Sequence, residues 1–505
     1  KDIPKGTAYY LDATANDPDG DALTYCWEQL DSGRVLASDF GPNQLSGSMN
    51  RSLLPVSSNR RNIPNLTLVL ANQLTEINPY IGSAWETVSN VGRNLRWGIT
   101  VRDRDLNNPN GVGFAAQDEV VLEVVESAGP FELTTQAQAS TQWQAGGNEI
   151  IRWNVANTHL APINTSQVNV LLSTDGGQSF PITLAENIPN NGKASIVVPG
   201  DIATNQARLK LEPVDNVFYA VNSSNFSIAT RPFAMPFSSI EKDICGQSST
   251  TFSFQLKQYS GFSSPVQFSV SGLPNGVTAS IQPQSLATNN ASATLNIVSN
   301  GAISGTYTLT LVGTSGNTVE QQQFFVRLYH TTLAVPSLSS PEDQATAQPT
   351  TIRLSWDMME EADEYQIQLS QTENFSSVDQ AFETANSFID VEQLTGETTY
   401  YWRVKAINAC GESLYSPTNQ FTTDVLSCST YSANNLPRNI QDATQTAVGN
   451  TIASILVADD LPITDIDVRV NITHSYVEDI TMILIAPGGE EVVLIRNQGG
   501  SANNF

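Results

Sequence analysis

Asp17-Pro18-Asp19-Gly20-Asp21 places three carboxylates on alternate residues around a glycine that permits a tight turn. A loop of this kind can aim several hard oxygen ligands at one cation, and calcium is the cation such ligands suit. The competing reading is an ordinary turn, because aspartate side chains also bond the backbone two residues on. Catalytic chemistry is harder to find. A zincin needs two histidines one helical turn apart with a glutamate base beside them, whereas His159, His330 and His474 each stand alone in the sequence. No Gly-x-Ser-x-Gly elbow is present, and Gly313-Thr314-Ser315-Gly316 reads as a turn between strands. The expected set of catalytic residues is therefore empty. Among four cysteines, Cys410 and Cys428, separated by 18 residues, are the natural disulfide partners. Closing a loop of that length stabilises by roughly 3 kcal/mol in the chain-entropy model. Cys26 is expected to be a buried small hydrophobe, and Cys245 has no evident partner.

Ser173-Thr174-Asp175-Gly176-Gly177-Gln178-Ser179-Phe180 looks like an Asp-box, in which an aspartate and glycines tie a hairpin while the aromatic packs beneath it. Turn stabilisation is the expected role and sugar binding the minor alternative. Trp85, Trp97, Trp143 and Trp153 are candidates for a carbohydrate platform, although sandwich cores commonly take tryptophan.

These groups need a scaffold. At ~150 residues per domain, a chain of 505 residues holds three or four domains, and more if the units are small β modules. The hydrophobic share of 40% is ample for packed cores, which argues against global disorder. Acidic residues outnumber basic ones 50 to 24, and the net charge of −26 repels nucleic acid and anionic membranes. No apolar run approaches the ~18 residues of a membrane span, so membrane insertion is not expected. Lys1 to Gly6 shows no signal-peptide pattern. Runs such as Val168-Asn169-Val170-Leu171-Leu172 and Thr306-Tyr307-Thr308-Leu309-Thr310-Leu311 have the period of two that half-buried antiparallel strands require. The expected class is all-β, with Leu66 to Leu74 the best helical candidate. Proline and glycine punctuation at Ser127 to Pro130, Thr230 to Pro232, Val335 to Ser337 and Ser427 to Ser429 divides the chain into five units. The predicted boundaries are 1–127, 128–230, 231–332, 333–425 and 426–505.

Residues 333–425 resemble a fibronectin type III domain through Leu354-Ser355-Trp356, Tyr365-Gln366-Ile367, Leu394 and Thr399 to Asn408, and Trp356, Tyr365 and Leu394 should meet between two sheets. No Arg-Gly-Asp triplet occurs. Val470 to Ile480, Leu484 to Gly489 and Arg496 to Gly500 resemble the start of a jelly-roll P-domain of the proprotein-convertase type, with Glu478 where that family usually has glycine. Because the pattern is incomplete at Phe505, a longer parent protein is expected. The first three units resemble the cadherin/PKD-like and Ig-like modules downstream of the catalytic domain in secreted reprolysin-like zinc metalloproteases of the Bacteroidetes type. The residues are Asp17 to Gln29, Gly129-Pro130-Phe131, Leu172 to Pro181, Val270 to Val277 and Ser304 to Leu309. That resemblance implies an incomplete first strand in the opening module and zinc only in a catalytic domain outside this chain. It also implies that Asp103 and Asp105, beyond the strand Leu95 to Val101, complete a calcium shell with Asp17, Asp19 and Asp21.

The expectation is thus a tandem array of Ig-like and fibronectin-like β-sandwiches ending in a partial P-domain, secreted or on the cell surface. Its implied work is spacing, attachment to a protein or glycan surface, and stabilisation of a metalloprotease-like parent. The alternative is a surface adhesin or fibre subunit built from the same modules, with self-association as a further possibility.

Overall fold

The computed structural model describes residues 1–18, 20–103, 114–330, 332–425, 429–441, 449–457 and 466–496. The first module contributes β1 (Asp2–Pro4), β2 (Ala8–Asp12), β3 (Leu23–Gln29), β4 (Arg60–Ile63), β5 (Arg93–Asp103) and β6 (Ala115–Val125). Alternation sets its inner face: Leu95, Trp97, Ile99 and Val101 of β5 all point into the core. One sheet runs β1-β6-β5-β3, with Leu23 opposite Asp103. Among the described residues the one α-helix, α1 (Leu66–Leu70), lies within the sequence-predicted helical stretch, and Asn65 Oδ1 caps it by accepting from Leu68 N.

The long connection from β3 to β5 is held by a buried ion pair. Arg61 donates to Glu86 at 2.8 Å and to the carbonyls of Trp27 and Arg51 at 2.6 and 2.8 Å. Glu86, 1% exposed, also accepts from the backbone N–H and the side-chain amide of Asn65 at 2.8 Å. Removing one partner would strand a charge in the core, a change that typically costs several kcal/mol.

The second module follows with β7 (Glu132–Leu133), β8 (Gln142–Gln144), β9 (Asn148–Asn154), β10 (Gln167–Ser173), β11 (Ile182–Pro189), β12 (Lys193–Val197), β13 (Thr204–Pro213), β14 (Phe218–Val221) and β15 (Phe226–Ala229). Its larger sheet does not stop at the module boundary. The strand order is β11-β10-β13-β14-β2-β4, so two strands of the first module extend the sheet of the second. The joining pair is antiparallel, with Phe218 opposite Tyr9 and Tyr219 opposite Ala8. Beneath it runs one hydrophobic core, in which Tyr9, Trp97 and Leu122 of the first module pack with Phe131, Trp143 and Phe218 of the second.

The third sandwich faces the sheet β17 (Glu241–Cys245), β25 (Thr318–Tyr329), β24 (Gly305–Ser315), β20 (Val266–Ser271), β22 (Ser285–Leu286) against β18 (Ser249–Gln255), β23 (Ser292–Ser299), β21 (Val277–Gln282). Phe237, Phe252, Phe254 and Phe324 interlock between the sheets with ring centroids 4.9 to 5.8 Å apart. A separate pair, β16 (Phe233–Ala234) and β19 (Lys257–Gln258), lies at the entry to this module.

Residues 1–331 form one compact unit and residues 332–505 another. In the second unit, the strands Leu338–Ser340, Ile352–Trp356 and Phe388–Val391 form one sheet. Ala345–Gln348, Asn419–Thr423, Thr399–Asn408, Glu364–Ser370 and Gln380–Thr384 form the facing one. Trp356, Tyr365 and Leu394 are buried together in this core, as the sequence pattern required. The Tyr400 hydroxyl accepts from Thr395 N at 3.0 Å, an arrangement similar to the tyrosine corner of sandwich folds. Further along lies the hairpin Thr481–Ile485 with Glu491–Arg496.

Phe218 sits at the strand pair that joins the first two modules and is fully buried. Phe218→Ala should cost ~3–5 kcal/mol and lower hydrogen-exchange protection in both modules. A loss confined to residues 128–230 would contradict the shared sheet.

Candidate functional site

The acidic loop lies between β2 and β3, and the register of β3 on β5 brings its exit beside Asp103. Asp17 Oδ1 accepts the backbone N–H of Asp21 at 2.9 Å, which is the turn reading of this loop. Asp103 accepts from the backbone N–H of Phe114. Asp17, Asp21 and Asp103 are all partly buried. Asp19 and Asp105 lie outside the described residues. Among the described residues, no three His, Cys, Asp or Glu side chains form a metal cage.

The Asp-box is a hydrogen-bonded turn. Ser173 Oγ and Ser179 Oγ both donate to the Asp175 carboxylate at 2.6 Å, and Ser179 N donates at 3.1 Å. These bonds, that from Ser173 foremost, hold the carboxyl far below the usual range for an aspartate. Gly177 has φ of +93°, and a side chain there would collide with Leu70 of α1. The box therefore seats the helix of the first module on the second. Trp97, Trp143 and Trp153 are buried, so they offer no sugar platform, and Trp85 is partly exposed. His159 and His330 are exposed, and His474 Nδ1 accepts from Tyr476 N at 3.1 Å.

Cys26 is free and buried. Cys410 is disulfide-bonded, and so is Cys245, for which the sequence suggested no partner. Cys428 lies outside the described residues, and with it the expected Cys410–Cys428 pairing.

The joints between modules carry the polar groups that sequence reasoning missed. At the first joint, Tyr219 Oη donates to Asn62 Oδ1 at 2.9 Å, Arg208 donates to Leu70 O at 2.9 Å, and Lys210 lies 4.8 Å from the Tyr219 ring. At the second, Asn148 and Phe237 exchange two hydrogen bonds of 3.0 and 2.7 Å, and Gln322 Oε1 accepts from Asn148 N at 2.9 Å. Arg231, within the Thr-Arg-Pro segment that the sequence presents as a linker, is 5% exposed. A charged residue flanked by proline looks like exposed punctuation, so nothing local marks it as core.

A family model, the proprotein convertase P-domain, matches residues 463–505. No curated protein matches this chain. Similar solved structures include the FN1–FN3 domains of chicken CNTN1, at 11% identity, 56% of this chain, 96% of that chain and a TM-score of 0.25. The fibronectin(III)-like modules of Clostridium thermocellum CbhA show 13% identity, 38% and 94% coverage and a TM-score of 0.21. The N-terminal four Ig domains of Dscam1 isoform 4.44 show 10% identity, 84% and 96% coverage and a TM-score of 0.21. At these scores the likenesses carry no argument, and the sandwich assignment rests on the strand pairing described above. Among the described residues, no helix is long and apolar enough to cross a membrane.

Burial pushes the Cys26 thiol pKa up, and Cys26 Sγ donates to Leu53 O at 3.4 Å. Alkylation without reductant should leave Cys245 and Cys410 unmodified and label Cys26 only after denaturation. Rapid labelling of Cys410 in the native, unreduced chain would contradict this.

Proposed function

We propose that this chain is the noncatalytic accessory region of a secreted, metalloprotease-like protein, working as a stiff spacer and attachment element for a catalytic domain carried elsewhere in the parent. The observation that carries this reading is the fusion of the first two sandwiches through a common sheet and core. Modules joined by flexible linkers move independently by default, whereas a large apolar interface holds its two sides in one orientation. The P-domain match at the C-terminal end supports a protease parent, since that family model is named for proprotein convertases.

A second reading, a surface adhesin, is favoured by one feature. The loop holding Ile77, Tyr80 and Ile81 exposes these side chains to 66%, 73% and 100%, and such an apolar tip suits contact with a protein or glycan surface. Trp85 at its base has φ of +54° and is pinned by its N–H to Glu76 at 2.7 Å. Strain of this kind persists where the surroundings fix a loop's shape.

Calcium belongs to the proposal through the register that sets Asp103 beside the exit of the loop carrying Asp17 and Asp21. Bound calcium would offset repulsion among these carboxylates and stabilise the first module by mass action.

Three experiments test the reading. The purified chain should not cleave casein with zinc present, and the parent gene should encode a His-Glu-x-x-His segment upstream of Lys1; chelator-sensitive cleavage, or further β repeats in place of that segment, would contradict it. Millimolar calcium should raise the melting temperature of the full chain relative to chelator, and Asp17→Ala with Asp21→Ala should abolish the rise. An unchanged transition would remove calcium from the account.

A further inference from the structure

No aspartate, glutamate, lysine or arginine occurs between Lys257 and Glu320, although the chain as a whole has a net charge of −26. This stretch supplies most of the third sandwich, and no strand of its sheet β18-β23-β21 carries a charged residue. Phe252, Phe254, Leu295 and Ile297 form the buried inner face of that sheet. Its outer face presents exposed hydroxyls, with Thr251, Ser253, Thr294, Thr278 and Ser280 among them.

One edge of the sheet is open. β18 is covered on its free side, because Ser238 N donates to Ser253 O and Gln255 N to Pro236 O at 3.0 and 3.1 Å. Among the described residues, β21 pairs with β23 alone. Asn300 N donates to Gly276 O at 2.7 Å, and the alternation of an antiparallel ladder then turns the backbone N–H and C=O of Ala279 and Ile281 away from β23. Natural sheets blunt such edges with charge, shortness or a bulge. The other uncovered edge strands of more than three residues, among those described, all use one of these devices. Charged residues mark β3, β4, β12 and β17, and register shifts interrupt β11. In the second unit, Asp390 and Glu383 mark Phe388–Val391 and Gln380–Thr384, Glu491–Arg496 carries charge at both ends, and register shifts interrupt Ala345–Gln348 and Thr481–Ile485. β21 has neither: its 6 residues, Val-Thr-Ala-Ser-Ile-Gln, run uncharged and in unbroken register.

We propose that β21 is a self-association edge, which pairs antiparallel with β21 of a second copy of this chain and joins the two sheets into one. Backbone geometry and charge both favour that occupant. A two-fold axis at Ser280 sets Ala279 opposite Ile281 of the second copy and the reverse, so that each outward N–H meets an outward C=O. Copies of so acidic a chain repel one another over most of their surface, and a sheet without charge is where that repulsion is least. A neutral glycan also tolerates an uncharged face, but it leaves the backbone edge unused. The paired strip is short, so the association belongs to the weak, transient class. It involves the third sandwich alone and is independent of whether the parent is a protease.

Sedimentation velocity on the full chain tests the pairing. The 54.6 kDa monomer should shift toward a dimer as its concentration rises from roughly 1 μM to roughly 1 mM, the range of weak complexes. Added salt screens the repulsion between copies and should increase the dimer fraction. Ser280 is exposed, and the axis sets it against its own copy at a pair where side chains lie closest. Ser280→Lys and Ser280→Glu should therefore each abolish the dimer by like-charge repulsion, while a mixture of the two variants should dimerise again. Ala279→Pro, which removes an outward N–H without adding charge, should also leave a monomer with its melting temperature little changed. A wild-type chain that stays monomeric over this range at low and high salt overturns the proposal and leaves the edge to a strand of another protein. A dimer that survives both Ser280→Lys and Ser280→Glu overturns it as well, because the contact then lies elsewhere; should Ala279→Pro misfold, the charge variants still decide.

Discussion

The architecture of the first unit depends on one antiparallel contact: Tyr9 and Ala8 of β2 paired with Phe218 and Tyr219 of β14. Few backbone hydrogen bonds are involved, and each contributes only about 1 kcal/mol net. Their importance is geometric, because they turn two sheets into one and so fix which side chains face each other beneath. Phe131 meets Phe218 edge to face at 5.1 Å, and Tyr9 meets Trp97 at 6.5 Å, so the core is continuous where a hinge would otherwise lie. Burying such aromatic side chains stabilises by roughly 1.5–3 kcal/mol each, well beyond the strand pairing itself.

The rest of the unit uses polar groups to specify what the apolar core cannot. The Arg61–Glu86 pair fixes the long connection of the first module, with α1 capped nearby and laid on Gly177 of the second. Desolvation makes such a pair weak evidence for stability, but a network satisfied in only one arrangement selects that arrangement. Arg231 serves the second joint in a similar way, donating to the carbonyls of Ala145 and Gln321 from its buried guanidinium.

Much of the fold was legible because alternation directly reports a half-buried strand. Leu95, Trp97, Ile99 and Val101 declare their inner face in sequence, and Trp356, Tyr365 and Leu394 lie in the core that the fibronectin pattern implied. The joints were not legible. Tyr9 and Phe218 are far apart along the chain, and a period of two says which residues face inward but not which strand lies alongside. Arg231 carried no sign of burial, since its environment is assembled from Ala145, Gln321 and Glu320 on separate elements. Of the acidic loop, the sequence supplied the spacing, and strand register supplied the proximity of Asp103.

The central claim is that the first two sandwiches are one mechanical body. Pulling the full chain by its ends in a single-molecule force experiment tests it most directly. The account predicts that residues 1–230 unfold in one event, releasing about 80 nm of contour at roughly 3.6 Å per residue. Two separate events of about 40 nm each, one for each sandwich, would contradict it.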